Sequence, residues 1–291
     1  MSSPTNSRVQ LTIPKLLEKV EGGGKLAMLT AYDAVHARLA DAAGVDMILV
    51  GDSVGNVCLG FDNTLPVSMA MMNHHLEAVA RTRPQAFLVA DLPYLSYHLG
   101  LEDSIRNAGG FLQRGAQAVK LEGGAKRLPV VRALVDAEIP VMGHLGLTPQ
   151  SVHAMGGYAV QGRLGHEAIQ LLEDALSLQD AGCFMVLMEG VPADLAARVT
   201  QELKIPTIGI GAGPGCDGQV LVFHDLLGLL PGKSAKFVRK YMNGYEDSVN
   251  AISRWAEDVR GGVFPSARES YTLPEPARKL LDQGRTAEGS N

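Results

Sequence analysis

The chain has 291 residues and a formal net charge of −5, and 46% of its residues are hydrophobic, 20% charged and 5% aromatic. This length and composition suit one α/β barrel domain with a large core and exclude an intrinsically disordered chain. The mildly acidic balance excludes a protein that attracts nucleic acid or an anionic membrane surface through its overall charge.

The chain begins with a polar stretch, residues 1–10, which is predicted to be flexible and lacks the apolar core of a signal peptide. A short helix is predicted over residues 12–19, with Thr12 as its N-cap and Pro14 in its first turn. We expect this helix to close the amino end of the domain that follows.

Eight short apolar runs recur through the middle of the chain, and each is continuous rather than alternating. Continuous apolar runs are typical of strands that are covered on both faces, as in parallel sheets. The runs span residues 25–32, 47–52, 87–92, 118–121, 140–145, 184–189, 206–211 and 219–224. Segments with helical spacing separate them, at residues 35–43, 101–114, 128–137, 165–181 and 193–203.

This alternation of strands and helices predicts a (β/α)8 TIM barrel over residues 11–265, forming one catalytic domain. An open doubly wound sheet is the alternative fold. Two long connections, residues 53–84 and 146–179, are predicted to act as lids over the active face or, alternatively, to pack against a neighbouring subunit.

The end of the chain is predicted to lie outside the barrel. A helix over residues 247–259 carries Trp255, the only tryptophan of the chain. The polar, proline-containing tail, residues 266–291, is predicted to be mobile or wrapped on a partner.

Three acidic residues stand at the ends of three successive strand-like runs, namely Asp52, Asp91 and Glu122. A charged group after buried apolar residues is costly without a partner, and the carboxyl ends of neighbouring parallel strands lie side by side. These carboxylates are therefore predicted to share one cation. Hard oxygen donors favour Mg²⁺ over Zn²⁺.

Lys120 and Glu122 are two positions apart on one predicted strand, so their side chains point the same way. Lys120 is predicted to meet an anionic substrate, with an ion pair that caps the strand as the alternative. Ser53 follows Asp52 and offers a hydroxyl and an N–H to a ligand, unless the segment is only a tight turn.

His144 and Glu189 end the fifth and sixth apolar runs. His144 is predicted to contact substrate, although a satisfied core histidine is the alternative. A carboxylate beside apolar neighbours is a stronger base than usual, which makes Glu189 the candidate general base unless it forms a structural salt bridge.

Other polar and glycine-rich features are given weaker interpretations. The glycine-rich residues 209–215 lead into another strand, which favours a turn after the seventh barrel strand over a dinucleotide loop. Asp33, His36 and the pair His74 and His75 lie on predicted helix surfaces and are assigned no role. The three separated cysteines indicate neither a disulfide framework nor a zinc site, and they favour a reducing cytoplasm.

Seven segments together resemble the ketopantoate hydroxymethyltransferase family, in order and with matching spacing over about residues 11–265. They are Thr30-Ala-Tyr-Asp33, Val50-Gly-Asp-Ser53, Ala90-Asp-Leu-Pro93, Val119-Lys-Leu-Glu-Gly-Gly124, Gly143-His-Leu-Gly-Leu-Thr-Pro-Gln-Ser151, Gly156-Gly-Tyr-Ala-Val-Gln-Gly-Arg163 and Ile208-Gly-Ile-Gly-Ala-Gly213. The polar tail goes beyond the usual end of this family.

The resemblance implies transfer of a hydroxymethyl group from 5,10-methylenetetrahydrofolate to 3-methyl-2-oxobutanoate (alpha-ketoisovalerate), giving 2-dehydropantoate in the first step of pantothenate biosynthesis. It implies a magnesium-stabilised enolate and one Mg²⁺ per subunit. It also implies a cytoplasmic homodecamer whose partners are the keto acid and the folate, with no nucleic acid and no membrane.

The resemblance further implies a role for each site residue. The metal ligands would be Asp52, Asp91 and Glu122, and Glu189 would be the proton acceptor. The substrate contacts would be Asp52, Ser53, Asp91, Lys120 and His144. Two alternatives remain: another magnesium-dependent C–C lyase or mutase barrel acting on a 2-keto acid, and a non-catalytic keto-acid-binding barrel.

Overall fold

Eight strands and the helices between them make up most of the computed structural model, which describes residues 10–287. The strands are β1 Leu26–Thr30, β2 Met47–Val50, β3 Phe87–Asp91, β4 Ala118–Glu122, β5 Val141–Gly146, β6 Met185–Glu189, β7 Thr207–Ile210 and β8 Gly218–Leu221. The helices are α1 Ile13–Glu21, α2 Ala34–Ala42, α3 Val54–Val57, α4 Met69–Ala80, α5 Leu101–Gln113, α6 Leu128–Asp136, α7 Val152–Met155, α8 Gly165–Asp180, α9 Ala193–Glu202, α10 Phe223–Leu226, α11 Gly244–Arg260 and α12 Glu275–Ala287.

The strands form one closed parallel barrel in chain order. Each strand pairs with the next, and β1 pairs with β8, with Leu26 opposite Gly218. Closure rules out the open doubly wound sheet, whose edge strands would stay unpaired. The predicted (β/α)8 TIM barrel is therefore confirmed.

Side chains on each strand alternate between two apolar layers, which explains why the runs are continuously apolar. On β2, Met47 and Leu49 belong to the cluster inside the barrel, while Ile48 and Val50 pack outward against the helices. Leu16 of α1 joins the inner cluster near the amino ends of the strands. Helix α1 thus covers that end, as expected.

Several boundaries differ from those predicted. The Thr12 side chain forms no capping hydrogen bond to α1, although its backbone is extended as at an N-cap. Strand β8 ends at Leu221, because the following residues turn into α10. The connection 53–84 contains α3 and α4, so much of it is regular helix.

The described part of the chain divides into two compact units, with the boundary after Met242. The first unit contains the barrel. The second contains α11 and also α12, a helix within the segment predicted only as a polar tail. The domain limits predicted from the sequence, after residue 10 and after residue 265, stay predictions.

Across residues 10–287, no helix combines the length and the apolar character that a membrane crossing requires.

Gly146 ends β5 in a left-handed conformation, with φ of 89°, and a Cβ there would lie 2.2 Å from the backbone oxygen of Glu189. Replacement by alanine should therefore add a backbone clash to the conformational strain. We expect Gly146→Ala to lower the free energy of unfolding by about 3 kcal/mol, measured by urea denaturation. Gly60 also has a positive φ, of 74°, but has no atom within 4 Å of such a Cβ, so Gly60→Ala should cost about 1 kcal/mol. If both variants lose the same free energy of unfolding, the added Cβ at residue 146 does not clash with the Glu189 backbone oxygen.

Candidate active site

A cavity of about 460 Å³ opens at the carboxyl end of the barrel. Its lining includes every site residue predicted from the sequence: Asp52, Ser53, Asp91, Lys120, Glu122, His144 and Glu189. Five of them are almost completely buried: Asp52, Asp91, Lys120, Glu122 and His144. The sequence therefore identified residues that the fold gathers in one place.

The alternation of the strands explains this gathering. Ala118 of β4 and Met142 of β5 lie inside the barrel, so residues two and four positions later point inward as well. On β4 these residues are Lys120 and Glu122, and on β5 the residue is His144. By the same rule Asp91 and Glu189 are the last inward side chains of β3 and β6. Charged groups thus replace apolar ones only where the barrel opens to ligand.

Lys120 forms an ion pair with Asp91, whose Oδ1 lies 2.9 Å from Nζ. The strand register places these two residues side by side on β3 and β4. The ion pair of Lys120 therefore joins β4 to β3, and the alternative of a pair within β4, between Lys120 and Glu122, is wrong. Burial opposes charge on Lys120, but the carboxylates of Asp91 and Glu122 outweigh it and raise the pKa of the ammonium. The surroundings of Lys120 thus favour its charged form.

Asp52 stands beside Asp91 at the ends of β2 and β3. Its backbone N–H donates to Asp91 Oδ2 at 3.1 Å. Burial, and then the nearby carboxylates of Asp91 and Glu122, raise the pKa of Asp52 well above its usual value. The cavity therefore concentrates more negative charge than Lys120 alone can balance.

His144 lies between two carboxylates. Its Nδ1 is 3.5 Å from Glu122 Oε1, and its Nε2 is 3.4 Å from Glu189 Oε2. Burial and the Lys120 ammonium, whose Nζ lies 3.2 Å from Nδ1, disfavour the charged imidazole, but the two nearby carboxylates outweigh them and raise the pKa of His144. Since Nε2 forms no hydrogen bond within the described residues, it is free to contact a ligand beside Glu189.

Gln150 links the acidic residues and was missed in the sequence analysis. Its Nε2 donates to Asp52 Oδ2 at 2.7 Å and to the Leu92 carbonyl at 3.0 Å, and its backbone N–H donates to Glu122 Oε2 at 3.0 Å. Its Oε1 accepts from the Tyr97 hydroxyl at 2.6 Å. An uncharged amide forms no charge pattern that would mark it as functional. The one sequence signal for Gln150 is that it lies in residues 143–151, one of the segments that resemble the family.

Removing the Gln150 amide should disturb the carboxylates that it connects. We expect Gln150→Leu to leave the Asp52 carboxylate without its donor and to remove the shortest hydrogen bond of the Tyr97 hydroxyl, which keeps only its contacts to the Glu122 backbone. The free energy of unfolding should fall by about 2 kcal/mol, measured by urea denaturation. The exposed Gln201 on α9 provides the control, since Gln201→Leu should change stability by less than about 0.5 kcal/mol. A Gln150 variant as stable as the control would mean that the network contributes nothing.

The remaining predicted residues have clear local partners. The Ser53 hydroxyl lies 2.8 Å from the Tyr32 hydroxyl, so it is fixed at the cavity wall. Asp33 caps α2 by accepting from the His36 N–H, and His75 Nδ1 lies 2.7 Å from the Tyr32 carbonyl oxygen. The glycine-rich residues 209–215 connect β7 to β8, as the interpretation of a turn after the seventh strand requires.

The residues present fit a hard divalent cation by their chemistry. Their donors are carboxylate oxygens, and four carboxylates face one ammonium: Asp52, Asp91, Glu122 and Glu189 against Lys120. Among residues 10–287, however, no three His, Cys, Asp or Glu side chains are already arranged as a coordination shell. Gln150 and Lys120 hold the carboxylate oxygens instead, so an ion would have to replace some of these bonds.

Several solved structures share the fold. Phosphonopyruvate hydrolase in complex with oxalate and Mg²⁺ matches with a TM-score of 0.59 at 14% identity, over 95% of this chain and 98% of that one. A 2,3-dimethylmalate lyase matches with a TM-score of 0.57 at 16% identity, over 95% and 97% of the two chains. At such low identity these likenesses concern the barrel architecture alone.

Curated relatives are far more similar in sequence. The 3-methyl-2-oxobutanoate hydroxymethyltransferase 2 of Bradyrhizobium diazoefficiens is 67% identical over 272 residues, which cover 94% of this chain and 93% of that protein. A 3-methyl-2-oxobutanoate hydroxymethyltransferase of Koribacter versatilis is 51% identical over 276 residues, covering 94% of each chain. The family model described as ketopantoate hydroxymethyltransferase matches residues 10–267. The chain therefore belongs to the ketopantoate hydroxymethyltransferase family of enzymes.

Proposed function

We propose that this enzyme transfers a hydroxymethyl group from 5,10-methylenetetrahydrofolate to 3-methyl-2-oxobutanoate and gives 2-dehydropantoate, the first step of pantothenate biosynthesis. The names of the relatives supply the keto acid and the reaction type. The observation that best supports the chemistry is one cavity holding a carboxylate base, a buried ammonium and three further carboxylates. Enolisation of a keto acid needs such a combination of base and positive charge.

One Mg²⁺ per subunit is proposed to be held by Asp52, Asp91 and Glu122. The concentration of buried negative charge around these residues supports a cation there. When bound, the ion would act as a Lewis acid toward the oxygens of the keto acid and lower the cost of removing its C3 proton.

The chain's own groups would carry the proton transfer and the binding of substrate. Lys120 would attract the negative charge of the keto acid, and Ser53 would offer it a hydrogen bond. Glu189 would take the C3 proton, and His144, whose Nε2 lies 3.4 Å from Glu189 Oε2, would contact the keto acid beside it. The electron pair of the broken C–H bond would form the new bond from C3 to the one-carbon unit. One of the two C–N bonds between the one-carbon unit and the folate would break as this bond forms. Water would then replace the second folate nitrogen and supply the hydroxyl oxygen, and the two nitrogens of the departing tetrahydrofolate would take up the proton from Glu189 and one proton from water.

The connection between β5 and α8 is proposed to act as a lid. Pro149 and Tyr158 of this connection line the cavity, which supports that proposal. Burial, and then the Asp52 carboxylate, raise the pKa of Tyr158, so its hydroxyl would stay neutral next to the acidic site. Closing the site would keep bulk water from protonating the enolate before its carbon attacks the one-carbon unit.

A cytoplasmic homodecamer is proposed from the resemblance, with no nucleic acid or membrane as partner. A row of exposed apolar side chains on α11 supports self-association, because large apolar side chains in one face often mark an interface. These side chains are Tyr245, Val249, Ile252, Trp255 and Val259. Light scattering in solution would measure the number of subunits.

Product formation from purified protein tests the reaction. We expect 2-dehydropantoate only when keto acid, 5,10-methylenetetrahydrofolate and Mg²⁺ are all supplied, with activity lost in EDTA and restored by Mg²⁺. Turnover of a keto acid without folate would instead indicate a lyase or mutase. Keto-acid binding without any turnover would indicate a non-catalytic barrel.

A further inference from the structure

The cavity is larger than a small keto acid needs. Its volume of about 460 Å³ lies in the range that holds drug-sized ligands, roughly 300–1,000 Å³. The charged residues assigned above all come from β2 to β6 or from the ends of these strands. The rest of the cavity is therefore available to a second, larger molecule.

The opposite side of the cavity is mainly apolar. Ile210 of β7 and Val220 and Leu221 of β8 line it, followed by Leu230 and Pro231 after α10. In the closed barrel β8 is four strands away from β4, which carries Lys120 and Glu122. The cavity thus has an ionic side and an apolar side, and the apolar side suits a flat ring system.

One carboxylate on the apolar side has no assigned role. Asp225 of α10 lines the cavity and is half-buried. Within residues 10–287 its side chain forms no hydrogen bond and no ion pair. Burial raises the pKa of Asp225, and the positive charge of Lys240 offsets only part of this rise. Burial removes part of the hydration of the Asp225 carboxylate, and a ligand with N–H groups would replace the lost hydrogen bonds.

We propose that Asp225 binds the reduced pterin ring of the folate co-substrate, an inference that rests on the proposed function. The ring presents a 2-amino group and a ring N–H on one edge, which match the two oxygens of a carboxylate. Its faces would lie along the apolar side formed by Ile210, Val220 and Leu221. This position directs the one-carbon unit across the cavity toward Glu189 and the keto acid.

A second carboxylate, Asp62, also lines the outer cavity and offers a direct comparison. Asp62 is exposed, so water satisfies it and a ligand gains little by replacing that water. The proposal therefore predicts different results for the same change, Asp to Asn, at these two positions.

The test measures folate-dependent and folate-independent steps in the same variants. We expect Asp225→Asn to raise the KM for 5,10-methylenetetrahydrofolate by about 10- to 100-fold, the effect of losing a hydrogen bond to a charged group. Exchange of the keto acid C3 proton with deuterated water, without folate, should stay within about twofold of wild type. Asp62→Asn should change the KM for the folate by less than about threefold.

Each outcome has one meaning. An unchanged folate KM in Asp225→Asn, or an equal rise in Asp62→Asn, would overturn the role of Asp225 while leaving the proposed reaction intact. Loss of C3 exchange in Asp225→Asn would also overturn it, because the residue would then act on the keto acid. If the wild type shows neither C3 proton exchange nor hydroxymethyl transfer, the proposed function itself is wrong, and the role of Asp225 falls with it.

A modified ligand tests the partner atom directly. Calorimetry would compare tetrahydrofolate with an analogue whose 2-amino group is replaced by methyl, in wild type and in Asp225→Asn. We expect wild type to bind the analogue at least about tenfold more weakly, and the variant to bind both ligands equally, because the two groups act as a pair. If replacing the amino group weakens binding by the same factor in the wild type and in Asp225→Asn, Asp225 does not contact that group.

Discussion

Asp91→Asn should weaken Mg²⁺ binding and lower hydroxymethyl transfer by at least about 100-fold, because it removes a proposed ligand and the ion-pair partner of Lys120. The Asp91 carboxylate lies 2.9 Å from the Lys120 ammonium, and both groups are buried. Asp52 and Glu122 still face the Lys120 ammonium in this variant, so the free energy of unfolding should fall only by the loss of one hydrogen bond to a charged group, about 2 kcal/mol. Titration with Mn²⁺ followed by electron paramagnetic resonance would report the affinity, and urea denaturation would report the stability.

The exposed Asp136 at the end of α6 provides the matched control. Asp136→Asn should leave metal affinity and activity unchanged and alter stability by less than about 0.5 kcal/mol. If Asp91→Asn binds the ion with normal affinity, Asp91 is not a metal ligand. Normal activity in metal-free buffer would reject the site as a whole.

Glu189→Gln should abolish C3 proton removal yet still allow the keto acid to bind. The amide keeps the shape of the side chain but cannot accept the proton, so exchange with deuterated water should fall by about 100- to 10,000-fold. The Kd for the keto acid should change by less than about tenfold, since Lys120 and the other binding groups remain. Proton NMR measures the exchange, and calorimetry measures the binding.

Glu173→Gln, an exposed change on α8, is the control and should exchange at the wild-type rate. Exchange at the wild-type rate in Glu189→Gln would assign the base role to another group. A loss of both binding and exchange would instead make Glu189 a binding or structural residue.

The fold could be predicted because most of the strands are covered on both sides, with exposed positions only at Ala27 of β1 and Gln219 of β8. The alternation of Met47 and Leu49 inward with Ile48 and Val50 outward leaves no polar position on β2, and such runs indicate parallel strands. The same alternation predicts the inward direction of the last charged residue on a strand, as for Glu122. These are local properties, and a sequence expresses them directly.

The contacts between distant segments could not be predicted in this way. Gln150 reaches Asp52 and Tyr97 through folding of the connection after β5, and an amide carries no charge pattern. Lys120 pairs with Asp91 rather than with Glu122 because of the register between β3 and β4. Register depends on how whole strands pack, so the sequence of one strand does not reveal it.

Asp225 was missed for a related reason. It lies in α10, whose first two residues were predicted as the end of the eighth strand, and the predicted run stops at residue 224, so the direction of the Asp225 side chain could not be inferred. Its proximity to the cavity follows from barrel closure, which brings the end of the barrel sequence back beside β1. Only the closed arrangement reveals that an acidic residue after β8 lines the same cavity as Asp52.

The most direct test is exchange of the C3 proton of 3-methyl-2-oxobutanoate in deuterated water, followed by NMR in the presence of the wild-type enzyme. If carboxylates at the barrel mouth hold a divalent ion and Glu189 removes the proton, exchange will require Mg²⁺ and will proceed without folate. Exchange at the same rate in EDTA, or none with Mg²⁺ at saturating keto acid, would contradict the account.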